Sequence, residues 1–369
     1  MKKLFFLAAT ACVALASCVK NEPADSVNEQ QLISFASPVV GLHTKAATEI
    51  WNNFPTDMTF SVWAHYFDDK NDGGEYTILE EGQVYMDEVS TSYNATLGGW
   101  APSTPYYWPK NGSLTFIAYS PSSVAAYASV GETGIKFTDY DAFTNQVDLL
   151  FSERAYNKKA IDDAVAGSAV TGANPSVTDD IYKGVHISFK HALSSILFTA
   201  KLDAAYTGST VTLKSVKLTN IKSVGTFNQD LNDEDAFSTI EDAALWLVNE
   251  DSDKDYTVTV NQPLTTTPYY TCNASTTAPT EANGKRATDW ILIPQTIDED
   301  ATMVITYTLQ SPDSDPLEQV VELPLETTEV NNWFRGKRYI YNIVIGLDTI
   351  YFEPYVANWT DGTAQDFEF

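Results

Sequence analysis

The chain has 369 residues, with 49 acidic and 22 basic side chains and a formal net charge of −27. Aromatic residues make up 12% of it, including 20 Tyr and 18 Phe, enough to fill a large core and to exclude an intrinsically disordered chain. A charge this negative repels phosphate backbones and excludes a nucleic-acid partner, and the length fits two domains at roughly 100–200 residues each.

In chain order, Lys2 and Lys3 precede an uncharged apolar run over residues 4–16. The run is too short to cross a ~30 Å hydrocarbon core as a helix, so residues 1–17 read as a secretory signal. The signal ends in Leu15-Ala16-Ser17-Cys18, which has the lipobox pattern of a Leu, two small residues and a Cys. Cleavage between Ser17 and Cys18 leaves Cys18 to carry the acyl chains. Each buried CH₂ contributes ~0.8 kcal/mol, so several chains make a firm membrane anchor. An ordinary secretory signal with an incidental cysteine is the competing reading. With Cys12 removed and Cys18 acylated, no intramolecular disulfide is expected, and stability must come from burial. Polar residues 18–29 read as a tether.

Beyond the tether the dominant period is two. Phe60, Val62, Ala64 and Tyr66 alternate with Ser61, Trp63, His65 and Phe67; Met303, Ile305, Tyr307 and Leu309 form another face. Tyr339, Tyr341, Ile343, Ile345 and Leu347 form the clearest one. Such alternation, rich in Val, Ile, Thr and Tyr, predicts strands with one face on a core. Residues 153–166 fit a short helix or a long loop, and 166–180 a surface excursion. Many short strands without βαβ alternation predict an all-β chain of sandwiches, with a first domain over 30–183 and a second over 184–369.

Motifs of chemistry are missing. No HExxH or paired CxxC offers zinc a home, and no G-x-S-x-G elbow, P-loop or dinucleotide fingerprint occurs. His186 and His191, five apart in strand-like sequence, face opposite ways. Asp69, Asn71 and Glu80 fall at positions 1, 3 and 12 of a calcium-loop pattern, but position 5 is Gly73 and the flanks read as strands, so an acidic hairpin turn fits better than a calcium site. The tryptophans, Trp63, Trp100, Trp108, Trp290, Trp333 and Trp359, read as packing residues. Neither a cofactor nor an enzymatic reaction is expected.

Six ordered segments carry a resemblance. They are residues 31–46 (QLISFASPVVGLHTKA), 106–121 (YYWPKNGSLTFIAYSP), 146–153 (QVDLLFSE), 185–202 (VHISFKHALSSILFTAKL), 290–295 (WILIPQ) and 333–345 (WFRGKRYIYNIVI). Together they resemble the fimbrillin (Mfa-like) family of Bacteroidetes surface lipoproteins, the type V pilins. The resemblance implies two tandem transthyretin-like Greek-key β-sandwiches. It also implies a structural or adhesive pilus subunit, exported as an outer-membrane lipoprotein and displayed at the cell surface. Its partners are then other pilin subunits, the outer membrane through the N-terminal lipid, and a host or bacterial surface receptor.

In that family a protease cuts after a basic residue behind the first strand, and a neighbouring subunit's strand fills the opened groove. Here the matching cut lies between Lys45 and Ala46, and the displaced strand presents Ile33, Phe35 and Val39, interrupted by Ser37. The candidate donor is the tail, 360–369, where only Phe367 and Phe369 share an apolar face. So thin a donor favours a tip or accessory subunit over a stalk. A lipid-anchored surface protein that binds glycan or host protein without polymerising is the alternative.

Overall fold

Alternating apolar and polar residues suit a pleated ribbon whose side chains point to opposite faces, and the period-two segments fold accordingly. The computed structural model describes residues 32–41, 51–67, 82–109, 113–131, 134–158, 169–170, 184–229, 245–276, 289–346 and 349–359. The regular elements among them are β-strands, apart from two short 3₁₀ turns at Ser122–Val124 and Thr271–Asn273.

The first sheet runs in the order Trp51–Asn53, Val39–Gly41, Ser188–His191, Leu150–Ser152, Ser113–Ser120, Phe60–Phe67, Gln83–Asn94 and Gly99–Pro102. Phe35 bridges Trp100 on the last of these strands and Val185 just before Ser188–His191, so the sheet closes on itself. Phe60, Val62, Ala64, Phe116 and Phe189 fill the interior. The outer face of the same strands is also covered. Trp63, Ile117, Tyr119 and Phe151 pack against Phe137, Phe227 and Trp246 of a four-stranded sheet formed by Trp246–Val248, Val224–Asn228, Ile135–Asp141 and Ala128–Val130.

The third core lies between two further sheets. One joins Tyr269–Tyr270, Ser194–Leu202, Lys337–Ile345 and Ile350–Asn358, with Trp290–Leu292 also paired to Ser194–Leu202. The other runs Asp253–Pro263, Thr210–Lys222, Thr302–Gln310, Leu317–Pro324. Ile196, Phe198, Leu213, Met303, Ile305, Tyr341 and Ile343 meet between them. Lys337–Ile345 is buried on both faces, with Ile340 packed on Leu197 and Tyr270 behind the alternating row. Gly336, at φ 66°, makes the turn that starts this strand, a conformation that suits glycine.

One sequence expectation differs from the structure, and the expected domain boundary, Lys183, falls outside the described residues. The chain changes sheets between His191 and Ser194. Val185, Ile187 and Phe189 face the first core, Ala192 and Leu193 the second, and Ile196, Phe198 and Ala200 the third. The side-chain parity flips at Ala192–Leu193, which lets one continuous apolar run serve three cores. Strand Ile135–Asp141 likewise pairs across the expected division with Val224–Asn228. The difference is Ala155–Lys158, within the expected helix or loop, which is a strand. It pairs with Ser113–Phe116 and with Ala169–Val170, because the edge of Ser113–Ser120 offers its backbone groups there.

Candidate functional site

The chain enters the first sheet through residues 32–41, the segment expected to be displaceable. Ile33 is 2% exposed and Phe35 is fully buried, while Leu32 between solvent and groove is 48% exposed. The Phe35 ring meets Phe60 at 5.3 Å and Phe116 at 5.8 Å, both edge-on, an arrangement favoured by the ring quadrupoles. Ser34 and Ala36 are half-buried and Ser37 is exposed. Val39 differs from the expectation: it is half-buried, and Val40, 1% exposed, carries the apolar contact instead. Pro38 breaks the alternation. It has no N–H to donate, and its carbonyl accepts from Phe54 N at 2.8 Å, so the ladder restarts one residue out of phase.

Backbone bonds hold the segment on both sides. On one side Ile33 N donates to Tyr106 O (2.8 Å), Phe35 N to Trp100 O (2.9 Å), and Trp100 N back to Phe35 O (3.1 Å). On the other, Val185 N donates to Ser34 O (2.8 Å), Ala36 N to Val185 O (3.0 Å) and Val39 N to Ile187 O (3.1 Å). The segment therefore sits as a strand wedged between two others, antiparallel to Gly99–Pro102 and parallel to Ser188–His191. Two glycines let it approach closely. A Cβ on Gly99 would stand 3.1 Å from Phe35 O, and one on Gly184 would stand 2.6 Å from Phe35 C and overlap Ala36 N. Gly184 has φ 121°, which side-chain-bearing residues avoid. Withdrawing residues 32–36 exposes a groove floored by Phe60, Phe116 and Trp100 and leaves backbone donors and acceptors on two strand edges without partners.

Near the groove lies a buried polar junction. His191, 1% exposed, donates from Nδ1 to Asp148 Oδ1 at 3.0 Å, and its ring stacks on Trp359 with centroids 4.3 Å apart. Lys190 Nζ, fully buried, meets Glu153 Oε1 at 2.7 Å. Arg335 lies over the Phe151 ring at 5.6 Å. The tail end of the described chain, at Trp359, is thereby fastened to the strand that flanks the groove. The sequence placed His191 in a strand but held no sign of Asp148 or Trp359 as its partners, which lie far away along the chain.

His186 is exposed and His191 buried, so the two do not converge. No group of three or more His, Cys, Asp or Glu among the described residues could hold a metal ion. Trp63, Trp100, Trp108, Trp290, Trp333 and Trp359 are all core residues, each 8% exposed or less. Ser17, Cys18, Lys45, Ala46, Phe367 and Phe369 lie outside the described residues, as do Asp69, Asn71 and Glu80.

The fold has solved counterparts. A fimbrial protein from Bacteroides vulgatus ATCC 8482 is similar at a TM-score of 0.52 and 14% identity, over 89% of this chain and 100% of that one. A candidate cell adhesion protein from Bacteroides ovatus ATCC 8483 is similar at a TM-score of 0.46 and 15% identity, over 90% of this chain and 99% of that one. At 14% identity the likeness to the Bacteroides vulgatus protein is one of fold alone. No curated protein matches the chain. The fimbrillin-like family matches residues 44–359, most of the sequence, and the chain belongs to that family.

Proposed function

We propose that this fimbrial protein is exported as a lipoprotein acylated at Cys18, and that it joins a type V pilus by protease-triggered strand exchange. The observation that carries the proposal is the seating of residues 32–41. They form a separate strand, bonded on both edges, with Ile33 and Phe35 in the first core and only Leu32 and Ser37 facing out. A segment of this kind is a plug: its removal leaves an apolar groove with unpaired edges, and an extended strand from another subunit restores both the side-chain contacts and the ladder.

Cleavage at Lys45–Ala46 cuts the plug from the rest of the chain without breaking its ladder, so a competing strand has to displace it. The apolar side chains in 360–369 are thin for a donor that must fill successive pockets, and the protein is accordingly placed at a tip or accessory position, where it accepts a strand. The test mixes the cleaved protein with a peptide spanning 360–369 and, separately, with cleaved copies of itself. The proposal expects plug release by an apolar donor strand and no self-ladder. A self-ladder that disappears when 360–369 are deleted would make the protein a stalk subunit, and a plug that no donor strand displaces would end the exchange mechanism.

A further inference from the structure

On strand Phe60–Phe67 the side chains pointing away from the first core are Ser61, Trp63, His65 and Phe67. The sheet containing Ala128–Val130 covers Trp63, and beside it opens a cleft of about 720 Å³ lined by Trp63, His65, Val84, Asp87, Glu88 and Ser129 among others. The neighbouring strand Gln83–Asn94 is irregular opposite this stretch. Its pairing passes from Val62↔Val89 to Ala64↔Met86 and then to His65↔Val84, so it carries an extra residue twice. The first irregularity turns both Met86 and Val89 into the core although they are three apart, at 0% and 7% exposure. The two carboxylates between them, Asp87 and Glu88, are thereby both left on the outer side, with Glu88 in the left-handed region at φ 47°. Bulges re-aim side chains in this way beside functional sites.

The polar groups of the cleft are incompletely used. The Tyr119 hydroxyl donates to Glu88 Oε1 at 2.5 Å, which leaves the second carboxylate oxygen for another donor. His65 is 5% exposed, and its Nδ1 is buried with no hydrogen-bond partner. Burial holds the His65 pKa below its ordinary value, against the smaller opposing pull of Asp87; this favours the neutral ring, and a neutral imidazole carries one lone pair.

The chemistry of the walls selects the ligand. An anion is repelled by Asp87 and Glu88. A metal ion is unsuited, because no three of these side chains among the described residues converge tightly enough. A sugar ring lacks a platform, since Trp63 is 5% exposed and turned onto Tyr119 at 5.3 Å. An organic cation with several spread donors remains, and a guanidinium offers five in a planar fork that suits carboxylates. We propose that this cleft binds an alkyl-guanidinium group, an arginine side chain or a small molecule of the same chemistry. Glu88 and Asp87 take the charge, His65 accepts a further N–H, and Val84, 63% exposed, lies along the alkyl stem.

The test titrates the full purified chain with agmatine and, in a second arm, with the peptide Gly-Arg-Gly, following the His65 Cε1–H resonance by NMR. The chain has four histidines, and His65→Asn identifies the signal. The expected result is a saturable shift of that resonance, weakened by added salt and reduced about tenfold in affinity by Glu88→Gln. Tighter binding of the peptide assigns the site to a protein-borne arginine, and tighter binding of agmatine to a free small molecule. Should Glu88→Gln fail to fold, Asp87→Asn, at an exposed side chain, is expected to weaken binding in the same direction. A static His65 resonance with both probes, or an affinity unchanged in folded variants and in high salt, overturns the proposal, as does saturable binding of galactose in place of the cations.

Discussion

Replacing Phe35 by Ala tests how the plug is held. The ring is fully buried and lies edge-on to Phe60 and Phe116 at 5.3 and 5.8 Å, so its removal opens a cavity against two rings that are fixed by the sheet. A Phe→Ala change in such a site costs about 3–5 kcal/mol. In the uncut chain that loss lowers the stability of the whole first sheet. Once the chain is cut behind residue 41, the same loss falls on the release of a short segment. At about 1.4 kcal/mol per tenfold, retention of the plug drops by roughly a hundredfold to several thousandfold. The assay is limited proteolysis followed by timed separation of the plug peptide from the body, read by mass spectrometry. Leu32→Ala, at a side chain 48% exposed, serves as the control and is expected to release at the wild-type rate. Equal release from Phe35→Ala and wild type, with both proteins folded, would refute the reasoning that core burial holds the segment.

Three further outcomes follow from the same structure. Gly184→Ala sets a methyl group against the Phe35 and Ala36 backbone at a left-handed φ, so it is expected to loosen the plug, seen as faster hydrogen exchange at Ala36 N–H and a melting temperature lowered by an amount consistent with about 1–3 kcal/mol. Asp289, which accepts from Phe198 N and the Thr271 hydroxyl, has its carboxyl pushed by burial from 3.8 up to about 6. The folded state therefore holds that proton more tightly than the unfolded one. Its favourable contribution is complete below the unfolded pKa and is lost as pH rises through about 6, a difference of up to about 3 kcal/mol. Asp289→Asn is thus expected to stabilise the protein to urea at pH 8 and to leave it unchanged near pH 3.5; a variant no more stable at pH 8 than wild type contradicts the assignment. Cys18→Ser is expected to abolish partitioning of a mature-sized protein into detergent, and unchanged partitioning refutes acylation at that residue.

Much of the fold was legible in the period of the sequence. Met303 and Ile305 are buried, Tyr307 and Leu309 pack at the edge of the same core, and the row Tyr339, Tyr341, Ile343, Ile345 faces it as its alternation requires. The burial of Ile33 and Phe35 was legible too, while the reading of their segment as a displaceable strand comes from the family resemblance alone. Parity reports which side a residue takes, not which core lies there. Val185, Ile187 and Phe189 and then Ile196, Phe198 and Ala200 both read as strand, and nothing local told that they serve different cores. The pairing of Ile135–Asp141 with Val224–Asn228 is a contact between distant segments, invisible to any window of sequence. Val40 replaced Val39 because Pro38 shifts the ladder by one residue, a consequence of a missing N–H that alternation counting overlooks. Asp87 and Glu88 share a face only through a bulge, which has no signature in the residues themselves.

Strand exchange requires residues 32–41 to be a removable strand, and the most direct measurement is the N-terminal sequence and mass of the protein recovered from assembled fibres. Removal of the plug predicts a chain that begins at Ala46, with Ile33 and Phe35 absent and the groove occupied by another subunit's strand. A chain in the fibres that still begins at acylated Cys18 and keeps Phe35 in its core would contradict it.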